Sequence, residues 1–433
     1  FSFAWLPLIL WSFYKLTATK KPLYLYLSAI FLALLMITHN LIFLPFMLLL
    51  PFYLLFLILN SSNKRLVTSH YALATILALG LSAFFWIPAL AEKKYTIVDD
   101  LLLVNLADYK IHFVALQQLW NWPWGFGGSA AGLADGISFK IGKLHILASI
   151  VAVILSVIFL SMNRVKKLST VNCQPSTVFF ILFLFAAFMT TSHSSFIWQL
   201  IPPLGYLQFP WRFLTFTALF SSLLAGAFIC FLRLPIFKLI ASILLIILLI
   251  IPNFKLFKPQ AYRQNLTDES ATSKEVINWD ISHSSFEYIP KGIPLVKSEL
   301  GTNLPDIQKE DLPTQKITIE EGKATITDLT SDPSKTAFRI DARVNTQITA
   351  NIFNFPDWQV EVDGEKVPID DSNRLKLISF EIKKGIHLVN IKFQNTEIRS
   401  VANLISLISI MTIVILLVIT TKKLKSKFKS SSA

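Results

Sequence analysis

The sequence VANLISLISIMTIVILLVITT (residues 401–421) decides the fold class of this chain. It carries no charge, and about 20 such apolar residues are needed for a helix to cross the roughly 30 Å core of a bilayer. The basic tail KKLKSKFKSSSA (residues 422–433) follows it, whereas residues 253–400 before it have the mixed composition of a folded, water-exposed domain. We therefore expect one such domain next to a membrane span.

Eight further apolar segments precede that domain, at about 1–14, 22–38, 41–59, 69–91, 144–162, 177–193, 210–232 and 236–252. The mean hydropathy is +0.56, and only 15% of the residues are charged. These features predict a polytopic α-helical membrane protein with about nine transmembrane segments. The expected domains are a helical domain at 1–252 with an outer loop at 93–143, a β-rich domain at 253–400, a final helix at 401–421 and the tail at 422–433.

Basic residues in the short loops predict the orientation. If all nine segments span, five groups of basic residues share one side: Lys15, Lys20 and Lys21; Lys64 and Arg65; Arg164, Lys166 and Lys167; Arg233 and Lys238; and the five lysines of the tail. An excess of Lys and Arg marks the cytoplasmic side. The protein is therefore expected in the cell membrane, with the β-rich domain extracytoplasmic and the tail cytoplasmic. The net charge of +13 is partly this signal, and no nucleic-acid partner is expected.

The chain begins FSFAWLPLIL, inside an apolar segment and without a signal-peptide n-region. We expect it to be the C-terminal portion of a longer membrane protein. Cys173 and Cys230 both map to the cytoplasmic side or near it, and two cysteines make no metal framework. The β-rich domain has no cysteine, so packing alone must hold it together.

Short segments rich in Ile, Val and Phe predict seven strands in the domain, and many of them alternate apolar with polar residues. They are Ile317–Ile319, Ala324–Ile326, Phe338–Val344, Ile348–Phe353, Gln359–Val362, Leu375–Ile382 and His387–Phe393. Asp363 and Gly364 suit a tight hairpin. This spacing predicts an all-β sandwich or a jelly-roll-like domain with a buried Trp358.

Ionisable residues collect on the predicted outer face. They are His39, Glu92, Asp99, Asp100, Asp108, His193 and Arg212. Each could be an interfacial anchor, because a charge near a helix end costs little. Alternatively, they converge on a polar site just outside the bilayer. Arg212 is the best candidate for that site, because its guanidinium is always charged and can bind a phosphate bidentately.

Tryptophans are biased toward the same face. Trp5, Trp86 and Trp198 fit an aromatic belt at the membrane surface. The run from Trp120 to Trp124 (WNWPW), followed by GFGG, is unlike an anchor. Its aromatic faces suit sugar rings or lipid headgroups, and a loop that simply packs on the membrane is the alternative.

Several motifs resemble those of known families. SSFIWQLIPPLGYLQFPWRFLTF (194–216), ITHN (37–40), FFWIPALAE (84–92) and FKIGKLHIL (139–147) are similar to bacterial membrane proteins described as 6-pyruvoyl-tetrahydropterin synthase-related. FNFPDWQVEVDGEKVPI (353–369) and FEIKKGIHLVNIKF (380–393) resemble the end of YfhO-like proteins. QFPWRF and the hairpin are the most specific of these motifs. The three-histidine zinc site of a pterin synthase is not present in the sequence.

Both groups belong to the GT-C type of integral membrane glycosyltransferase. The resemblance implies transfer of a sugar from a polyprenyl-phosphate donor to a cell-envelope acceptor, a glycan, lipid or protein, on the extracytoplasmic side. The catalytic acid of that class lies in the first outer loop, which we expect upstream of Phe1, and Glu92 is a weak candidate for a second acidic group. The expected substrate-binding residues are Arg212, His39, Trp211, Trp122, Trp124 and His193.

No cofactor is evident from the sequence, and a divalent metal is left open. Membrane lipids are expected partners. Two other classes stay open: a lipid or polysaccharide transporter, although no inverted repeat is visible, and a non-catalytic envelope-assembly scaffold whose β-domain binds glycan.

Overall fold

The computed structural model describes residues 1–103, 108–161, 176–232, 234–256, 258–298 and 302–431, with the backbone alone at 159–161, 284, 285 and 421–431. The chain divides into two compact units. The helical unit comprises Phe1–Ser82, Ala107–Tyr262 and Leu407–Ala433, and the β unit comprises Ala83–Leu106 and Arg263–Ser406. The β unit thus includes a segment that the sequence placed in the helical domain. Arg164, Lys166, Lys167, Cys173 and Arg233 lie outside the described residues.

Ten apolar helices occur in the described residues, most of them in the helical unit. They are Ser2–Thr19, Pro22–Thr38, Asn40–Leu59, Lys64–Leu81, Ala83–Glu92, Lys143–Ser161, Ser176–Met189, Leu214–Phe231, Pro235–Phe254 and Glu397–Ser431. Shorter helices are Val98–Leu102, Leu116–Trp120, Ser195–Leu200 and Asp268–Ala271. Prolines stand at the start of Pro22–Thr38 and Pro235–Phe254, where the missing N–H has no helical partner to lose.

Nine full spans are not confirmed. In the described ranges, four helices are long and apolar enough to cross a membrane: Asn40–Leu59, Pro210–Phe231, Pro235–Phe254 and Glu397–Thr420. The number rises to six if two interrupted helix pairs each count as one span. Length is the physical reason, because the 17 residues of Pro22–Thr38 cover only about 26 Å at a rise of 1.5 Å per residue.

Aromatic side chains fill the core of the helical unit. Phe13 meets Tyr71 edge-to-face at 5.1 Å, and Phe46 stacks on Phe216 at 6.0 Å. Trp198 is 1% exposed and its Nε1 donates to the carbonyl of Met189 at 3.2 Å. The expectation that Trp198 belongs to an interfacial belt is therefore wrong, since its indole is a core group with its polar atom satisfied.

The described residues of the β unit form ten strands, and the strands pair antiparallel. They are β1 (Leu295–Lys297), β2 (Asn303–Pro305), β3 (Ile317–Glu321), β4 (Ala324–Asp332), β5 (Lys335–Ala342), β6 (Thr346–Phe353), β7 (Trp358–Val362), β8 (Glu365–Val367), β9 (Leu377–Ile382) and β10 (Gly385–Phe393). Strands β1 and β2 pair alone, one sheet has the order β4-β5-β10-β7-β8, and the other has the order β3-β6-β9.

The two larger sheets share one hydrophobic core. Phe338 and Val389 from the first sheet and Ile348 and Phe380 from the second belong to the same buried cluster. The alternation of buried and exposed residues along β5 is the pattern of a strand with one face in a core. The sandwich expected from the sequence is therefore present. Trp358 differs from the expectation, because it is half-buried at the margin of this core and contacts Phe393 at 5.2 Å between ring centroids.

The predicted hairpin joins β7 to β8. Asp363 and Gly364 have φ angles of 53° and 87°, a left-handed conformation that favours glycine and tolerates aspartate. The Asp363 carboxylate accepts the backbone N–H of Leu388 at 2.8 Å and contacts Nδ1 of His387 at 2.7 Å. These contacts hold the pKa of Asp363 below its usual range, so the turn keeps its negative charge at neutral pH.

The segment after the helix Ala83–Glu92 packs within the β unit. The backbone N–H of Lys291 donates to the carbonyl of Tyr95 at 2.8 Å, and that of Ile97 donates to the carbonyl of Ile289 at 3.3 Å. Ile97, Ile289 and Ile293 form a small buried cluster. The residues around 95–102 therefore pack against residues 289–293, which precede the sandwich in the sequence.

The orientation predicted from the basic loops can be tested at Ser372, which is exposed in the β unit. In a background with Cys173→Ser and Cys230→Ser, we expect a Ser372→Cys variant to react with a membrane-impermeant maleimide in intact cells. A cysteine in the tail, Ser426→Cys, should react only after lysis. Labelling of Ser372→Cys only in lysed cells would invert the orientation.

Candidate functional site

The segment Gln208–Phe213 holds the candidate site and enters the bundle through a strained turn. Gln208 has φ 60° and ψ −42°, and the N–H of Phe209 donates to the carbonyl of Leu207 at 2.5 Å. This is a γ-turn with positive φ, a rare and strained conformation that persists only where surrounding structure holds it. Pro210 then opens the 3₁₀ helix Pro210–Phe213, which runs into the helix Leu214–Phe231.

Phe209 is the centre of a cluster of aromatic and basic side chains. The His112 ring meets it edge-on at 4.7 Å, and the Trp211 ring stacks on it at 5.1 Å. The guanidinium carbon of Arg212 lies 5.3 Å from the Phe209 centroid, within reach of a cation–π interaction. We call His112, Phe209, Trp211 and Arg212 the Phe209 cluster.

Arg212 has an unsatisfied charged group. Its Nη1 is buried, and no hydrogen bond to this atom is found in the described part of the chain. The described ion pairs include none to Arg212. The Nε1 of Trp211 is likewise buried without an acceptor among the described residues. Burying a charge without a partner is costly, which makes Arg212 the candidate anion-binding residue of this region.

His39 lies within electrostatic reach of Arg212. It occupies the junction between the helices Pro22–Thr38 and Asn40–Leu59. Partial burial and the positive charge of Arg212 lower the pKa of His39. At neutral pH His39 is therefore mainly neutral, and the fixed positive charge of this region is that of Arg212.

An ordered loop connects the tryptophan run to the Phe209 cluster. Asp135 organises this loop, since its carboxylate accepts from the Nε2 of Gln118 at 2.7 Å and from the N–H of Ala130 at 2.8 Å. Ser129 contacts Nδ1 of His112 at 3.0 Å. The loop is thus tied directly to a member of the cluster.

Glycines let two parts of the same loop approach each other. The N–H of Gly127 donates to the carbonyl of Gly136 at 2.9 Å. A Cβ at Gly125 would come within 2.2 Å of that same carbonyl oxygen. Any larger residue at 125 would force the backbones apart, so the Gly-rich sequence after the tryptophans serves close packing.

The tryptophans predicted to bind substrate divide into two kinds. Trp122 is half-buried, and its Nε1 donates to the carbonyl of Asp135 at 3.4 Å, so it stabilises the loop. Trp124 is 47% exposed and packs edge-to-face on the exposed Phe126. Trp211 stacks on Phe139 at 5.7 Å and fixes the loop against the helix start. Trp124 is therefore the one of these three that offers a free aromatic face.

Glu92 has a structural partner that the sequence did not indicate. It is 6% exposed, and its Oε2 accepts from Nε of Arg399 at 2.9 Å and from Nη2 at 2.5 Å. Its Oε1 accepts from the hydroxyl of Thr396 at 2.7 Å. A carboxylate engaged in this way is poorly placed to act as a catalytic acid, so we withdraw the catalytic assignment of Glu92.

The remaining residues that the sequence predicts on the outer face do not join the cluster. His193 is exposed in the short 3₁₀ helix Ser192–Ser194, and the contacts of the described residues include none between it and the cluster. Asp99 pairs with Lys93 at 3.0 Å and Asp108 with Lys110 at 3.6 Å. Asp100 lies in the first turn of Val98–Leu102 in the β unit.

The sequence did not single out His112, Phe209 and Asp135 as functional. Its position inside the QFPWRF motif was the one feature of the sequence that pointed to Phe209. His112 and Asp135 act through contacts with residues distant in sequence, which no local spacing reveals. Among the described residues, no group of three or more His, Cys, Asp or Glu side chains is arranged to hold a metal.

Comparison of the chain with models of protein families, with curated proteins and with solved structures gives no match. The inference of function therefore depends on the geometry above and on the sequence resemblance.

Proposed function

We propose that the chain is a membrane glycosyltransferase in which Arg212 binds the phosphate of a polyprenyl-phosphate-linked sugar donor at the extracytoplasmic surface of the cell membrane. The observation that carries the proposal is the buried Nη1 of Arg212, which has no hydrogen-bond partner in the described part of the chain. A phosphate supplies several acceptor oxygens and a negative charge. It also fits the planar guanidinium bidentately.

The surroundings of Arg212 strengthen such an interaction. The Phe209 and Trp211 rings limit the access of water, and charge–charge attraction increases as the local dielectric falls. Pre-oriented cationic donors of this kind also stabilise a departing phosphate. The donor's sugar would extend toward the loop that carries Trp124, whose exposed face suits the apolar side of a pyranose ring.

A transporter is the second candidate. The helices Ser176–Met189 and Ser192–Leu200 meet at 95° across a short break, and discontinuous helices often form the binding sites of transporters. Both candidates would bind a lipid-linked phosphate, and they differ in whether a glycosidic bond is formed. Sugar transfer favours the enzyme, whereas flipping of an intact lipid-linked sugar in proteoliposomes would favour the transporter.

The donor site is tested by equilibrium binding of undecaprenyl phosphate-linked hexose to the chain in lipid nanodiscs. Arg212→Lys keeps the positive charge but loses the planar guanidinium that can bind a phosphate through two hydrogen bonds. We expect this variant to weaken donor binding by about 1.5–3 kcal/mol, or roughly 10–150-fold. Arg65→Lys is the matched control, because Arg65 is exposed in the same unit and should bind as wild type. Unchanged donor binding in both Arg212→Lys and Arg212→Ala would mean that Arg212 does not bind the phosphate and is an interfacial anchor.

The histidine beside Arg212 provides an independent readout. Bound phosphate neutralises the charge that lowers the pKa of His39, so the pKa of His39 should rise when the donor binds. Titration of the His39 imidazole by NMR with and without donor measures this change. A pKa that does not move would mean that the phosphate sits elsewhere.

A further inference from the structure

A polar cleft lies on the outer face of the sheet β3-β6-β9, within the β unit. Ile317, Ile348 and Ile378 point into the sandwich core, so the alternate residues on β6 and β9 face the opposite side. Thr349 and Ser379 are cross-strand partners on that side, and their hydroxyls lie 2.9 Å apart. They form the floor of the cleft.

The loop between β8 and β9 forms one wall. Asn373 fixes this loop, since its Nδ2 donates to the carbonyl of Leu377 at 2.7 Å and its Oδ1 accepts the Leu377 N–H at 2.8 Å. Asp370 and Ser379 exchange backbone hydrogen bonds of 2.8 and 2.9 Å. The cleft is open to solvent and has a volume of about 400 Å³, within the range of roughly 300–1,000 Å³ that is typical of small-molecule sites.

The cleft presents hydrogen-bonding groups that are not used elsewhere. Glu320 and Gln347 line it, and the contacts of the described residues include no side-chain hydrogen bond or ion pair for either. Ser372 donates its backbone N–H to the Asp370 carboxylate at 2.9 Å. That contact lowers the pKa of Asp370, so Asp370 stays ionised at neutral pH. Two carboxylates, an amide and several hydroxyls therefore face the same space.

The charge of the lining excludes anionic ligands. Among the described residues that line the cleft, Arg374 is the one cation, and it is already engaged by the carbonyl of Asp306 at 2.5 Å and by the carboxylate of Asp311. The carboxylates of Glu320 and Asp370 leave the lining with excess negative charge. In the part of the chain that the structure describes, no acidic or histidine cluster suits a metal ion.

A polyhydroxyl compound matches this lining best. Ionised carboxylates accept hydrogen bonds from the vicinal hydroxyls of a sugar, and the amide of Gln347 both accepts and donates them, so a neutral ligand satisfies the lining. An extended peptide would instead pair with the edge of a sheet, whereas the cleft lies on a face. We propose that this cleft binds a neutral oligosaccharide, which makes the β unit a glycan-binding module. The proposal does not depend on the donor site at Arg212.

Binding should be weak and selective for neutral sugars. The cleft is lined by Leu375 and Leu377 and by no aromatic ring, so stacking contributes little, and a Kd of about 0.1–1 mM is expected from a few hydrogen bonds. The test is ligand-observed NMR on the full chain in lipid nanodiscs, because maltoside detergents would compete. The probes are cellohexaose, maltohexaose and mannohexaose, with hexagalacturonate as the anionic counterpart.

We expect at least one neutral hexasaccharide to bind, and hexagalacturonate to bind about tenfold more weakly. Glu320→Ala should weaken binding about tenfold, the equivalent of one charge-assisted hydrogen bond, and Gln347→Ala should weaken it about fivefold, the equivalent of one neutral hydrogen bond. Asp341→Ala removes an exposed carboxylate from β5 in the other sheet and should bind as wild type. Thermal melting of each variant verifies that the unit is folded.

Four results would each overturn the glycan proposal: no binding of any neutral probe, wild-type binding in both cleft variants, a preference for hexagalacturonate, or a requirement for calcium. None of these results bears on the donor phosphate, because no lipid-linked donor is present in the assay.

Discussion

Replacing Arg399 by alanine is expected to lower the free energy of unfolding of the β unit by about 3–5 kcal/mol. Arg399 and Glu92 are 15% and 8% exposed at their side chains, so the variant leaves a buried carboxylate without its main partner. Thr396 can retain its single hydrogen bond of 2.7 Å, which does not neutralise the charge. Hydrogen exchange of the full chain in nanodiscs, monitored along β9 and β10, measures the loss.

A double variant and a surface pair serve as controls for that result. Glu92→Gln combined with Arg399→Met removes both charges, and most of the stability should return, because the loss comes from the unpaired charge. Lys93→Ala breaks an exposed pair whose side chains are 35% and 47% exposed, and it should cost at most about 1 kcal/mol. If Arg399→Ala were as mild as Lys93→Ala, the ion pair would have no structural importance.

Replacing Phe380 by alanine should be equally severe. Its side chain is 2% exposed and lies in the core shared by both sheets of the sandwich. Truncation of a fully buried phenylalanine removes apolar contacts and leaves a cavity, at a cost of about 3–5 kcal/mol. Protection of β6 and β9 from hydrogen exchange should fall together, because these strands pair along most of their length.

Trp358→Ala is the matched comparison. Because Trp358 is half-buried at the core margin, we expect it to cost about 2 kcal/mol, since less apolar area is lost. A larger effect for Trp358→Ala than for Phe380→Ala would contradict the arrangement of the core.

The sandwich was largely predictable from the sequence, because the alternation of apolar and polar residues is a local signal. All seven predicted strands overlap observed ones. Strand β8 (Glu365–Val367) was not predicted, because three residues with two charges carry no recognisable period. The apolar segments located the helices, but composition could not show that Ser176–Met189 ends after 14 residues and that the chain then turns sharply.

The candidate site was only partly predictable. Arg212 and Trp211 stood in a recognisable motif, whereas the edge-on contact of His112 with Phe209 joins residues that are remote in sequence. Glu92 resembled a free acid because its partner, Arg399, lies near the other end of the chain. Pairings of this kind arise from tertiary structure, and a single sequence contains no periodicity that reports them.

Sugar transfer is the most direct test of the proposed function. Membranes containing the protein would receive radiolabelled hexose on a polyprenyl-phosphate carrier, with envelope glycan or lipid as acceptor. We predict transfer by wild type and by Arg65→Lys, a decrease of about tenfold or more in Arg212→Lys, and no measurable transfer in Arg212→Ala at equal protein level. Wild-type transfer in both Arg212 variants, or no transfer by any of the proteins, would contradict the proposal.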